Sequence, residues 1–538
     1  MIVGFNTLFC EFVRSYNNLC LIFFTLGQES LTYAMKKTNY LLFLLLWITV
    51  PKAFGQLEQS IRVEFAKDAK DEEELDVTPL ESEGVLVTVK KIDYFASSPF
   101  VWKFTKYDTQ LKEKWKAEFK VGFGKNPLLS YHNKQYLFWL FGDPDSDDIS
   151  IHRLDLSTGE TEEIEGQILG VEVVSHFKVL GNTAILAGKY REKPVVAMFS
   201  FFDKSTKVLP AIYTSNMEIV DLEVDDEAQQ VIVFSRSLKL KTGCQLTIRR
   251  YAYDGKLLFT NAFPAYEDRT LLTGKLMPIH PNEYLVIGSY AASCSSYSQG
   301  IYVTKVKGDE SFPVKYIEFS EMANFFNYMK PKRQQKIQEK IARKKEEGKE
   351  AHFRYMILVH DFVKTPDELV LVAESFYPQY HNTVNVVNPL SRSNADRVNG
   401  FKYTHALICG FDKDGNLRWD NSFPLQDLET NQLGPQVQIS YQQNRLVLAY
   451  PKEGKINTQL ISGSKVVKEK EEFEVKTTYE NEKILFADNA SLAAWYDQYF
   501  LAWGFQKIES TKDKNTSQRE VFYLNKLTYK SNDGRAKL

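Results

Sequence analysis

With 67 Lys and Arg against 69 Asp and Glu, the 538-residue chain carries a formal charge of −2, which excludes the one-sided basic field of a nucleic-acid binder. Aromatic residues reach 14%, with 37 Phe and 29 Tyr, a bias that suits many short strands packed face to face. No G-x-S-x-G elbow, phosphate-binding Gly loop or C-x-x-C is present, which removes three common catalytic and cofactor signatures.

The chain begins with an export signal. Met35-Lys36-Lys37 supplies a charged start, Tyr40 to Val50 an apolar run, and Ala53-Phe54-Gly55 small residues at the −3 and −1 positions. Residues 35–55 therefore read as a signal peptide cleaved before Gln56, and residues 1–34 as an extension from an upstream start codon. The apolar run falls short of the ~20 residues that a spanning helix needs, so no stable membrane span is expected after cleavage. The mature chain, 56–538, is expected to be exported from a bacterial cell, to the periplasm or beyond it.

From Val85 onward one strand–loop–strand–turn unit recurs eight times. Each unit has a short apolar opener ending in a small residue, as in Ala184-Ile-Leu-Ala-Gly188 and Tyr284-Leu-Val-Ile-Gly288. The openers begin at Val85, Tyr136, Ala184, Val231, Tyr284, Leu369, Arg445 and Phe500, with first intervals of 51, 48, 47 and 53 residues. Third strands lead into turns such as Asp155-Leu-Ser-Thr-Gly159 and Asp412-Lys-Asp-Gly415, where Asp and Gly supply side-chain bonds and positive φ. Self-similarity at this period predicts an all-β fold, a single β-propeller over 56–538 with eight blades. Seven blades is the alternative, should the unit around Arg445 be an excursion. The eighth unit runs out after Val521–Tyr529, while Ile61–Phe65 is a spare strand; their pairing would close the ring and cover an exposed edge.

Two insertions lengthen the later intervals. In 320–354, Ser320 is placed to cap a short helix through Met329, and Lys330-Pro331 to open a second one that Gly348 ends. From Lys330 to Lys349 there are nine Lys or Arg and three Glu, the pattern of a solvated helix with one narrow contact at Ile337 and Ile341 or of a patch for an anionic partner. The second insertion, 376–400, is rich in Asn, Ser, Pro and Tyr and reads as a long loop.

Candidate chemistry is sparse. Cys244 and Cys294 each fall where second and third strands connect in neighbouring units, and are the disulfide candidate; Cys409 reads as a buried small hydrophobe. Asp143, Asp145 and Asp147 alternate as in a Ca²⁺ loop but lack its Gly and Glu, so no metal is expected. No two His have a metal-ligand spacing. His360, Asp361 and His280 are the residues to inspect for catalysis, because inner strands of different blades can converge on the axis.

The stretches Tyr107-Asp-Thr-Gln-Leu-Lys-Glu-Lys-Trp115 and Phe411-Asp-Lys-Asp-Gly-Asn-Leu-Arg-Trp419 resemble the blade motif of quinoprotein-like (PQQ-like) propellers. In style the chain is also similar to uncharacterised exported propeller proteins of the Bacteroidota. The resemblance implies a propeller over most of the mature chain. The quinone-binding members use adjacent cysteines and a girdle of tryptophans; this chain has no adjacent cysteines and Trp in only two of its turns, so no cofactor is expected. The expected function is a non-catalytic scaffold binding a protein or glycan in the cell envelope. The alternatives are a polysaccharide-acting hydrolase or lyase with an axial active site, and a purely structural envelope protein.

Overall fold

The computed structural model describes residues 56–66, 73–92, 100–122, 124–143, 146–168, 170–239, 243–266, 269–360, 362–380, 398–510 and 517–530. The signal peptide, the upstream extension, Asp145 and Asp361 lie outside the described residues. Eight separate sheets of four to six strands succeed one another along Leu57–Lys530, and the chain is an eight-bladed β-propeller. The second strand of each blade starts within one residue of the opener read from the sequence, from Val85–Ile92 in the first blade to Tyr499–Ser510 in the last. These strands stand between two others and pack against neighbouring blades on both faces. Continuous apolar runs such as Tyr136–Gly142, buried from Leu137 onward, meet that demand. Arg445–Lys452 pairs with Gln438–Gln442 and Lys455–Ser462 in a sheet of its own, so the unit around Arg445 is a blade and the seven-bladed alternative falls.

The ring closes through its termini. In the eighth blade Glu482–Ala494 is innermost, then Tyr499–Ser510, Gln518–Lys530 and, outermost, Gln56–Ala66. Lys530 pairs with Glu58 at 2.5 Å, Ser60 Oγ donates to the Lys526 carbonyl at 3.0 Å, and Arg519 donates to Glu64 at 2.5 Å. Those contacts descend one strand as they climb the other, so the pairing is antiparallel. Ile61, Val63 and Phe65 then pack with Val85, Val87, Leu501 and Phe522, which welds first blade to last. Trp495 adds a bond from its Nε1 to the Gly84 carbonyl, 2.7 Å.

The turn-to-Trp stretches join blades. The Trp115 ring lies against the turn at Gly159 in the next blade, where a Cβ would come within 2.8 Å of it and φ is +81°. Trp419 stands against Gly463 of the next blade in the same way, and its Nε1 donates to Glu368 at 2.7 Å. At Gly159 the indole occupies the space of a side chain; at Gly463, where a Cβ would lie 3.6 Å from the ring, glycine answers the positive φ of +55°.

Two details of the insertions differ from expectation. Ser320 caps no helix: its hydroxyl donates to Glu318 at 3.2 Å, and the short element is a 3₁₀ turn, Phe325–Tyr328. The carboxylate of Asp420 instead holds the approach to this turn, taking the N–H groups of Ala323 and Asn324 (3.0 and 2.6 Å). The second helix, Pro331–Glu346, has proline in its first turn as read, and ends where Gly348 (φ +67°) and Lys349 donate back to Lys345 and Lys344. Ile337 and Ile341 are its contact with the core. The second difference concerns the expected loop at Phe376. Leu369–Tyr380 and Val398–Phe411 pair out to Tyr380 and Val398 because Phe376, Phe401 and Tyr403 pack across the two strands. Residues 381–397 lie outside the described residues.

Candidate functional site

The residues singled out from sequence go to separate places. His280 ends the innermost strand Lys275–His280 of blade five and is exposed. His360 lies on the inner side of blade six, its Nε2 3.1 Å from Glu374, whose Oε1 also accepts the N–H groups of Gln436 and Val437 at 2.8 and 2.6 Å. That carboxylate is fully buried and ties blade six to the segment entering blade seven. No hydrogen bond or ion pair joins His280 to His360 among the described residues. Asp143 and Asp147 sit in an ordinary hairpin turn, closed by the Asp143 N–H on the Asp148 carbonyl at 3.2 Å. Cys244 and Cys294 are bonded, with Cα atoms 5.4 Å apart, and link blades four and five; Cys409 is free and buried.

A different constellation forms at the axis. Innermost strands have one sheet neighbour, so their free edges border the channel that a propeller encloses. Val173–Leu180 carries His176 and Lys178, Met217–Asp225 carries Asp221, Glu223 and Asp225, and Lys275–His280 carries Lys275. Lys275 Nζ spans two carboxylates of the neighbouring blade, Asp221 at 2.7 Å and Glu223 at 3.1 Å. Burial lowers the His176 pKa; Asp221 opposes the shift, and Lys178 and Lys275 reinforce it. His132 is also held below its usual value, by burial first and by Lys178 among the rest. Both imidazoles are thus neutral at pH 7, able to accept one hydrogen bond and donate another.

Toward the turns that join first and second strands, the channel opens into a cavity of about 820 Å³ shared by blades two to five. Its walls carry Tyr131, Asn133, Gln135, Asn182, Asp225 and Asp226, with Glu223 connecting it to the charged cluster below. Lys178 stands over the Tyr131 ring at 5.0 Å from the centroid, and burial with the Asp226 charge pushes the Tyr131 phenol up to about 12. Tyr284 donates to Asp225 at 3.0 Å and fixes that carboxylate. Amides, carboxylates and the rings of Tyr131, Tyr136 and Tyr284 in an open bowl make a surface for a hydroxyl-rich ligand.

Sequence reading passed over His132, His176, Lys178, Asp221 and Lys275. A signal was present, since Asp221, Glu223 and Asp225 recur every second residue, which puts them on one face of a strand. What was missing is the identity of that face, which only the ring decides.

No protein-family model matches the chain, and neither does any curated protein. Solved structures to which it is similar include the Nup133 β-propeller domain of Vanderwaltozyma polyspora, at 12% identity over 75% of this chain and 94% of that one, TM-score 0.40. The polysaccharide lyase Uly1 is similar at 11% identity over 74% and 89%, TM-score 0.35, and a prolyl endopeptidase at 9% over 76% and 51%, TM-score 0.37. At such identities the likeness extends to the fold alone.

Proposed function

We propose that this chain is an exported propeller that binds a glycan of the cell envelope in the axial bowl of blades two to five. The observation that carries this reading is the bowl itself: about 820 Å³, open, with amides and carboxylates beside Tyr131. Sugar hydroxyls pair with such groups in both directions, and the apolar face of a pyranose stacks on an aromatic ring. The bridge between Cys244 and Cys294 supports an oxidising compartment, as does the export signal at 35–55. Binding of purified envelope polysaccharides by calorimetry, for the wild type and for Tyr131→Ala and Asp226→Ala, tests the reading. Saturable binding weakened at least tenfold by either change is expected. Binding that neither change moves would place the ligand elsewhere.

A second reading, a hydrolase or lyase acting on polysaccharide, is favoured by His176 standing among Asp221, Lys178 and Lys275. A neutral imidazole beside a carboxylate and two ammonium groups has the parts for proton abstraction and for stabilising the anion that results. Release of new reducing ends or of unsaturated sugars, abolished by His176→Ala, would establish it. Intact polysaccharide after prolonged incubation would leave the binding reading.

A further inference from the structure

We infer that Glu318, Glu350 and His352 form a divalent-metal site, zinc by its donor set, that staples the two ends of the helical insertion to blade five. Glu318 closes the outer strand Lys315–Glu318 of that blade; Glu350 and His352 lie in the segment that returns from the helix Pro331–Glu346. One ligand atom from each of the three lies within 4.8 Å of the other two, and this is the only such group of His, Cys and carboxylates among the described residues. His352 Nδ1 is already 3.0 Å from Glu318 Oε1. A zinc ion with N and O ligands at ~2.0–2.2 Å needs them roughly 3.3–3.5 Å apart. Glu350, exposed and held by Arg269 only at 3.7 Å, can move to meet that spacing.

A second observation points to a ligand independently. The register of blade five sets Tyr290, Gly300 and Glu318 in one row across three strands. Gly300 has no side chain, and a Cβ there would come within 2.7 Å of the Tyr290 ring, so the ring crosses the middle strand toward Glu318. The Tyr290 side chain is fully buried, yet its hydroxyl has no hydrogen-bond partner among the described residues. The charges that act on it are Glu318, Arg269, Glu321 and Glu350. A buried hydroxyl is costly unless a ligand or water meets it. A metal ion, or the water on its open position, would do so.

One imidazole and two carboxylates suit zinc or another first-row dication better than calcium, which takes six to eight oxygens. The test is titration of chelator-treated, tag-free protein with Zn²⁺, followed by calorimetry and thermal unfolding. Binding of one equivalent, with a melting temperature that rises with metal concentration, is expected. Co²⁺ in its place should give the visible absorption of a low-symmetry N/O site. His352→Ala and Glu350→Gln alter exposed side chains and should leave the apo fold intact. Each should weaken Zn²⁺ at least tenfold and remove the cobalt band. Absence of stoichiometric Zn²⁺ binding, or binding indifferent to both changes, would overturn the inference.

Discussion

The imidazole of His405 lies flat on the ring of Tyr328, with centroids 3.8 Å apart and planes 4° from parallel. Phe325 and Tyr355 stand edge-on around it, so one histidine of blade six is boxed in by three aromatics of the helical insertion. The box excludes water and pushes the His405 pKa down to about 3.

That depression makes stability depend on pH. In the unfolded chain His405 takes a proton near pH 6.5, and in the folded chain only near 3. Its contribution is therefore complete above about 6.5 and is lost as pH falls from there toward 3, by about 1.4 kcal/mol per pH unit. Denaturant unfolding of the wild type and of His405→Phe at pH 7.5, 5.5 and 4.5 checks this. The gap between the two should change steadily in favour of the variant below 6.5; parallel pH dependences would refute it.

Removing residues 56–66 should destabilise the entire ring. Blade eight would lose its outer strand, and the contacts of Ile61, Val63 and Phe65 with the first blade would go too. The exposed edge of Gln518–Lys530 would also invite association. We expect a fall in melting temperature of roughly 5 °C, from a loss of about 5 kcal/mol, seen as a single shifted transition by calorimetry. An unchanged transition would mean that closure adds nothing.

In protein secreted to an oxidising compartment, the disulfide should be found as a reductant-sensitive linkage of two peptides containing Cys244 and Cys294. Peptide mapping without reductant would detect the linked mass, while Cys409 alkylates only after unfolding. Cys294→Ser should cost ~2–4 kcal/mol in denaturant unfolding. Two free thiols at 244 and 294 in native protein would contradict the pairing.

Gly159→Ala should be costly for an exposed turn. The new methyl would meet the Trp115 ring at 2.8 Å, and φ of +81° is strained for any L side chain. We expect a loss of ~1–3 kcal/mol and a shift in tryptophan fluorescence. Gly170→Ala is the control, since it too has positive φ (+85°) but open space around it. If the two variants lose equal stability, the indole contact contributes nothing.

Sequence by itself determined the architecture. Every blade's second strand is buried on both faces, so it is a short, largely apolar run, and eight such runs, regularly spaced apart from the two insertions, can be counted before any coordinate is seen. The spare strand Ile61–Phe65 was legible for a related reason: an edge without a partner at one end of the chain needs one from the other. Only the tertiary structure decided the site. His176, Asp221 and Lys275 lie roughly 50 residues apart on three strands, and their meeting depends on the ring bringing three inner edges to one axis. Glu318 and Tyr290 face each other because Gly300 stands between them on a paired strand, which a linear reading cannot show. The segment before the 3₁₀ turn is held by Asp420, about a hundred residues away in sequence, while the Ser320 hydroxyl turns to Glu318. Local patterns record burial and turn chemistry; convergence between blades is a property of the closed ring.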